Sequence, residues 1–212
     1  MVKQERAART RRLLLQAAAE VFVQEGYARA SLSTISGRAG VSNGALHFHF
    51  ETKNLLAEAV EQCAAVTLRR IAATAEDAPG SALQCLVDAT HQLMTGLQQD
   101  VVVRAGFELC DASGRRGDGL DLRREWQDWV EKMLAEAERR GDLAEGVTAA
   151  DAATAVVTST VGFEMLGSRD RAWVARETVS RFWELLLPRL SDPGVLGKLS
   201  ARGTDSGESA QL

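Results

Sequence analysis

The run Ser42-Asn43-Gly44-Ala45, with His47, His49 and Lys53 behind it, joins hydrogen-bonding groups to a front edge of very small side chains. On a helix, that combination lets the backbone approach base edges in a DNA major groove. Asn43 carries the side-chain amide that can meet adenine at N6 and N7 together. Ser42, Gly44 and Ala45 keep the N-terminal end slim, and that end directs free N–H groups and a positive dipole at phosphate. Ser33, His47, His49 and Lys53 can donate to the sugar-phosphate backbone around it. Arg9, together with Arg6, Arg11 and Arg12, can reach flanking phosphates or the minor groove.

Such chemistry needs two short helices and a tight turn. Ser33 is expected to cap a helix over Thr34–Ala39, Gly40 to make the turn, and Ser42 to cap a second helix over Asn43–Phe48. Ahead of them, Leu14, Ala18 and Phe22 recur every four positions with Leu15 and Ala19 alongside, a buried stripe on a helix over Arg9–Glu25. From Lys53 a longer helix is expected to run to about Ala75, until Pro79 and Gly80 oppose it. Further helices are predicted at 82–99, 102–110, 121–140, from Thr148 or Asp151 to Gly167, and at 171–187 before Pro188. The 150–163 stretch is apolar on nearly every face and is expected to be central and buried. The 111–119 stretch is read as a flexible loop.

Charge divides along the same line. Residues 1–53 hold eight Lys/Arg against four Asp/Glu, whereas 54–212 hold 17 against 25, inside a net charge of −4. A basic head on an acidic body confines phosphate attraction to one end. The three cysteines, Cys63, Cys85 and Cys110, are widely spaced and odd in number, which fits neither a disulfide framework nor a metal set. His47 and His49 stand two apart and so point to different faces of a helix, with no third ligand in view; no metal or cofactor is expected. His91, Glu108 and Asp88 form no nucleophile–base spacing, so an enzyme is disfavoured. No apolar run of membrane-spanning length exists, and a cytoplasmic protein is expected.

The segment AGVSNGALHFHFETKNLL resembles the signature of the TetR family of bacterial transcriptional repressors. The resemblance rests on Gly26-Tyr27, Ser33, Ile35, Ala39-Gly40-Val41, Gly44-Ala45-Leu46, His49-Phe50 and Lys53. It implies an all-α homodimer: a helix-turn-helix DNA-binding domain, then a helical domain that binds a small-molecule effector and dimerises on double-stranded operator DNA. Two positions depart from the family pattern. His47 stands where the family usually has a Tyr, and that Tyr often touches phosphate. Asn43 stands where Lys is common in the subfamily considered next.

The body resembles the γ-butyrolactone autoregulator receptors of actinobacteria through KQERAARTR at 3–11, VVRAG at 102–106, REW at 124–126 and TSTVG at 158–162. That likeness implies that Trp126 lines the effector pocket and that Thr160 bonds the ligand. An alkyl-tailed lactone or butenolide wants an apolar cavity with a few polar groups. Met94, Met133 and Phe163 can supply walls, and Gln84 and Thr90 polarity. The expected organisation is a DNA-binding domain at 1–52, an effector and dimerisation domain at 53–190, and a disordered tail at 191–212. The expected function is a repressor released from a pseudo-palindromic operator by its effector. The alternative is a regulator of the same type sensing an antibiotic or a biosynthetic intermediate.

Overall fold

The computed structural model describes residues 2–110 and 120–204. The described residues form α-helices: α1 Val2–Glu25, α2 Leu32–Ala39, α3 Asn43–His49, α4 Lys53–Asp77, α5 Ala82–Gln99, α6 Val101–Cys110, α7 Leu122–Arg140, α8 Ala149–Gly167, α9 Arg176–Leu190 and the single turn α10 Pro193–Leu196. A short 3-10 turn, Arg171–Val174, precedes α9, and the one extended pairing among the described residues is an isolated bridge between Leu143 and Ser191. The chain is all-α, as its periodicity predicts. The loop expected at 111–119 lies outside the described residues.

Two compact units emerge from the packing: Met1–Leu68 with Gln99–Leu122, and Arg69–Gln98 with Arg123–Leu212. The first therefore reaches past residue 52 and takes in α6 and the front of α4. Its core is the predicted α1 stripe, Leu14, Leu15, Ala18, Ala19 and Phe22, closed by Ile35, Leu46 and Phe50 from the helix-turn-helix and by Ala105 and Leu109 from α6. Gly106 lets α6 approach α4, because a Cβ there would collide with that of Ala64.

The second unit is built around α5, which is buried at 13 of its 18 positions. This corrects the expectation that the apolar 150–163 stretch is the central helix. On α8 only one face is buried (Ala152, Ala153, Val156, Thr160, Phe163, Glu164 and Gly167), while Met165 and Leu166 are exposed. Apolar composition cannot tell a helix buried within its own chain from one whose outer face awaits another surface.

Two antiparallel cross-links join α7 to α8. Trp126 Nε1 donates to Thr160 Oγ1 at 2.9 Å, and one turn away Arg123 Nε and Nη2 donate to Glu164 at 2.8 and 3.1 Å. Thr148 caps α8 by accepting from Asp151 N at 3.1 Å, and its hydroxyl donates back to the Asp151 carboxylate at 2.7 Å. Pro188 does not stop α9, which continues to Leu190; a proline in the last turn forgoes one bond to an exposed carbonyl and no more.

The tail expected to be disordered from Ser191 is corrected over its described part. Ser191 is buried, and residues 200–204 are held on α5. Gln84 donates to Ser200 O and accepts from Ser200 N at 2.8 Å. Asp88 accepts from Thr204 N at 2.7 Å and from Thr204 Oγ1 at 2.6 Å. His91 Nε2 lies 3.0 Å from Ala201 O. Burial pushes the His91 imidazole below its usual pKa, so the neutral ring donates there. Three polar side chains at i, i+4 and i+7 on a buried helix must find partners, and the tail backbone supplies them. Residues 205–212 lie outside the described residues.

Candidate DNA interface and effector core

The helix-turn-helix is fixed by backbone caps. Ser31, not Ser33, caps α2, its Oγ accepting from Thr34 N at 3.0 Å. Ser33 lies inside the first turn, exposed, its hydroxyl 2.9 Å from that of Ser31. Two serines stand ahead of the apolar run, and spacing alone does not choose between them. Gly40 closes α2 at φ 66°, the left-handed cap, and Val41 N then bonds to Ser36 O at 3.0 Å. Ser42 caps α3 as expected, accepting from Ala45 N at 3.2 Å.

On α3, Leu46 and Phe50 face the core, so Asn43, Gly44, His47 and Phe48 stand on the outer side and Ala45 and His49 at its margins. The structure thus brings together Ser42, Asn43, Gly44, Ala45 and His47 on one surface. It also adds Phe48, 82% exposed, a residue not among the sequence-predicted contacts. The signal was available: Phe48 is two residues from both Leu46 and Phe50, and on a seven-residue helix that turns it outward. Its ring meets His49 edge-on at 5.3 Å. Arg9 is exposed near the start of α1, whereas Arg11 lies 5.3 Å over the Phe50 ring and so braces the head.

Lys53 departs most from expectation. Its ammonium donates to Tyr27 O at 2.8 Å, Ala28 O at 3.3 Å and Ala30 O at 2.9 Å, and it sits 4.5 Å from the Tyr27 ring centroid. An ammonium has three protons, and three carbonyls take them. Lys53 ties the α1–α2 loop to α4 and has no proton left for phosphate. Lys53→Met is expected to lose about 1.5–3 kcal/mol of stability, the worth of charge-assisted hydrogen bonds. At a temperature where both proteins are folded, the salt dependence of DNA binding should keep its slope, whereas a lost phosphate contact would reduce it by about 1.

In the second unit Trp126 is 2% exposed and Thr160 1%. They are bonded to each other, and Thr160 Oγ1 also lies 2.9 Å from Val156 O. Trp126 stacks on Trp129 at 5.2 Å, and Trp129 Nε1 donates to Glu76 of α4 at 2.7 Å. Lys132 holds the same carboxylate at 2.8 Å, and that bond is the leading cause of its lowered pKa. Arg69 of α4 forks onto Glu125 of α7. Trp126 is therefore linked to α4 through Trp129 and Glu76.

The remaining pocket candidates divide. Met94, Met133 and Phe163 are buried apolar groups, with Phe163 edge-on to Phe182 at 5.4 Å. Thr90 is buried with its hydroxyl donated to Leu86 O of its own helix. Gln84 is corrected: its amide is taken up at both ends by Ser200 and Asp88. The residue missed is Trp183 of α9, fully buried, whose indole N–H has no partner among the described residues. Its spacing with Val179 and Leu187 reads simply as core, and nothing in the sequence marks its N–H as unmatched.

A capped helix-turn-helix on a helical body with a buried aromatic core defines a DNA-binding regulator with a sensing domain. Comparison with known proteins gives the particular family. Residues 14–60 match the model of bacterial regulatory proteins of the tetR family. The A-factor receptor protein of Streptomyces griseus is 33% identical over 209 residues, covering 96% of this chain and 71% of that one. A crystal structure of a γ-butyrolactone receptor, an ArpA-like protein, superposes with a TM-score of 0.79 at 27% identity, covering 93% of this chain and 96% of that one. CprB of Streptomyces coelicolor, solved with its biological operator sequence, superposes with a TM-score of 0.78 at 30% identity, covering 93% and 97%. The chain belongs to the tetR family and is a ligand-responsive transcriptional repressor that binds operator DNA as a dimer. No described helix is long and apolar enough to cross a membrane.

Proposed function

We propose that this repressor is the receptor of a γ-butyrolactone or butenolide signal and acts in the cytoplasm, without enzymatic activity. The observation that carries the effector reading is Trp183. A buried N–H without an acceptor costs about 1–3 kcal/mol, and the cost is relieved by a ligand that brings an oxygen. A lactone offers a ring oxygen and an exocyclic carbonyl oxygen as acceptors, and its alkyl tail suits walls such as Met94, Met133 and Phe163. The likeness to the A-factor receptor and to solved γ-butyrolactone receptors points the same way.

In this reading Ser42, Asn43, Gly44, Ala45, His47 and Phe48 face the major groove, with Ser33, His49 and Arg9 toward the backbone. Met165 and Leu166 on α8 and Leu185 on α9, all exposed, supply the dimer contact. A two-fold dimer places its recognition helices about 34–36 Å apart, one turn of DNA. Effector bound beside Trp126 moves Trp129 and Glu76, and through them α4 and the spacing of the heads. Swinging the population from 1:99 to 99:1 requires a preference of about 10⁴-fold for the DNA-free state.

The test is Trp183→Phe, which keeps the ring and deletes the N–H. Operator binding should be unchanged, and the concentration of an alkyl γ-butyrolactone giving half-release should rise roughly tenfold, the worth of one hydrogen bond. An unchanged half-release concentration would remove Trp183 from the ligand site. Failure of the wild-type complex to respond to butyrolactones or butenolides, with release by an antibiotic or a biosynthetic intermediate, would overturn the effector class.

A further inference from the structure

We infer that residues 200–204 form a strap that ties α5 to α9 and gates the entry of a ligand to the core beside Trp183. The inference rests on the reading of Trp183 as a ligand group and adds to it the route by which a ligand arrives.

The strap returns to α9 after α10 and is bonded to two helices at once. On α5, Gln84, Asp88 and His91 hold the backbone of Ser200, Thr204 and Ala201. On α9, Arg176 Nη2 donates to Arg202 O at 2.9 Å, and Arg202 Nε stands 3.6 Å from the Glu184 carboxylate. Gly203 makes the turn: its N–H bonds to Ser200 O at 3.0 Å, and its φ of 76° lies in the left-handed region. A Cβ at Gly203 would stand 3.2 Å from His91 Cδ2 and 3.3 Å from Asp88 Oδ1, so glycine is what lets the strap lie this close to α5.

What the strap closes follows from its neighbours. A cleft of about 490 Å³ opens where it meets α9, lined by Arg176, Glu177, Ser180, Arg181, Glu184 and Arg202. Ser180, on its wall, is 7% exposed, and Trp183 follows three positions later on the same helix. Trp183 is fully buried, so a ligand reaches its N–H only if the wall of the cleft parts. Thr90 and Met94, also buried, stand on α5, the other helix that the strap holds.

The strap is fastened by polar bonds. Ser200, Ala201 and Gly203 are half-buried, Arg202 and Thr204 are exposed, and none of the five carries a large apolar side chain. Such a segment gains little from burial. Water replaces each of its hydrogen bonds on opening, so each holds it by a net and not a gross bond energy. Local opening is therefore far cheaper than unfolding α5 or α9. The three side chains it uncovers on α5 are polar and take water in its place. A gate has these properties: it rests closed, and it opens without unfolding its walls.

The experiment compares the full-length dimer with Gly203→Val, which lifts the strap and leaves every residue of α5 and α9 in place. Unchanged operator affinity shows that the variant is folded. Acrylamide, a neutral quencher, should reach the buried tryptophan emission of the variant without ligand and barely reach that of the wild type. In stopped-flow fluorescence with an alkyl γ-butyrolactone, association and dissociation should both accelerate roughly tenfold, the net worth of about one hydrogen bond, with the Kd nearly unchanged. Equal quenching in the two proteins, or equal ligand rates, would show that the strap covers nothing and overturn the gate. Faster dissociation alone would also overturn it, because the strap would then hold the bound ligand and not its path. If the wild type takes up no butyrolactone, the effector class fails, and the quenching comparison by itself upholds or overturns the strap.

Discussion

Arg123→Met is expected to lower folding stability by about 3–5 kcal/mol, because it strands the carboxylate of Glu164 inside the second unit. Glu164 keeps only 7% of its side chain exposed and Arg123 20%, and the guanidinium forks onto both carboxylate oxygens. A surface pair would cost a tenth as much, since water would replace the lost partner. Here the low exposure of Glu164 denies it that replacement. The double variant Arg123→Met with Glu164→Met should recover most of the loss, because two apolar groups of similar size leave no buried charge. Urea unfolding of the single and double variants measures both. A single-variant loss below about 1 kcal/mol would mean that the pair behaves as an exposed one.

The second large effect is expected from Trp126→Ala. Removing a buried indole costs about 3–5 kcal/mol through lost transfer energy and the cavity left behind. It also deletes the N–H bond to Thr160 and the stacking partner of Trp129. The folded fraction should bind operator with wild-type affinity, because the helix-turn-helix core draws no residue from α7. Release by an alkyl γ-butyrolactone should disappear. A variant that still releases DNA at the wild-type effector concentration would assign Trp126 to packing alone. The milder Trp126→Phe separates the two roles: it retains most of the volume and removes only the bond to Thr160.

The sequence reading placed the helices well and their polar partners less well. The α1 stripe, the cap at Ser42 and the turn at Gly40 are local features, each decided within a few residues. Trp126 and Thr160 were named for one pocket and are in direct contact, because the resemblance that suggested them is itself a record of shared packing. Lys53 and Gln84 were read as free donors. Both were assigned by residue type, and both are taken up by backbone carbonyls and amides 23 to 26 and 116 residues away. The tail was read as disordered from its glycines and serines; its described part is ordered because α5 carries buried polar groups that need it.

By itself the sequence determined that this protein is all-α, that a basic head carries a helix-turn-helix and that an acidic helical body follows. Those properties depend on periodicity, caps and charge counts, which are complete along the chain. Only the tertiary structure decided which hydrogen-bonding groups are engaged and which are free: Lys53 and Gln84 engaged, the Trp183 N–H without a partner among the described residues. A donor's availability is a property of its neighbours in space, and residues distant in sequence supply those neighbours only when the helices pack.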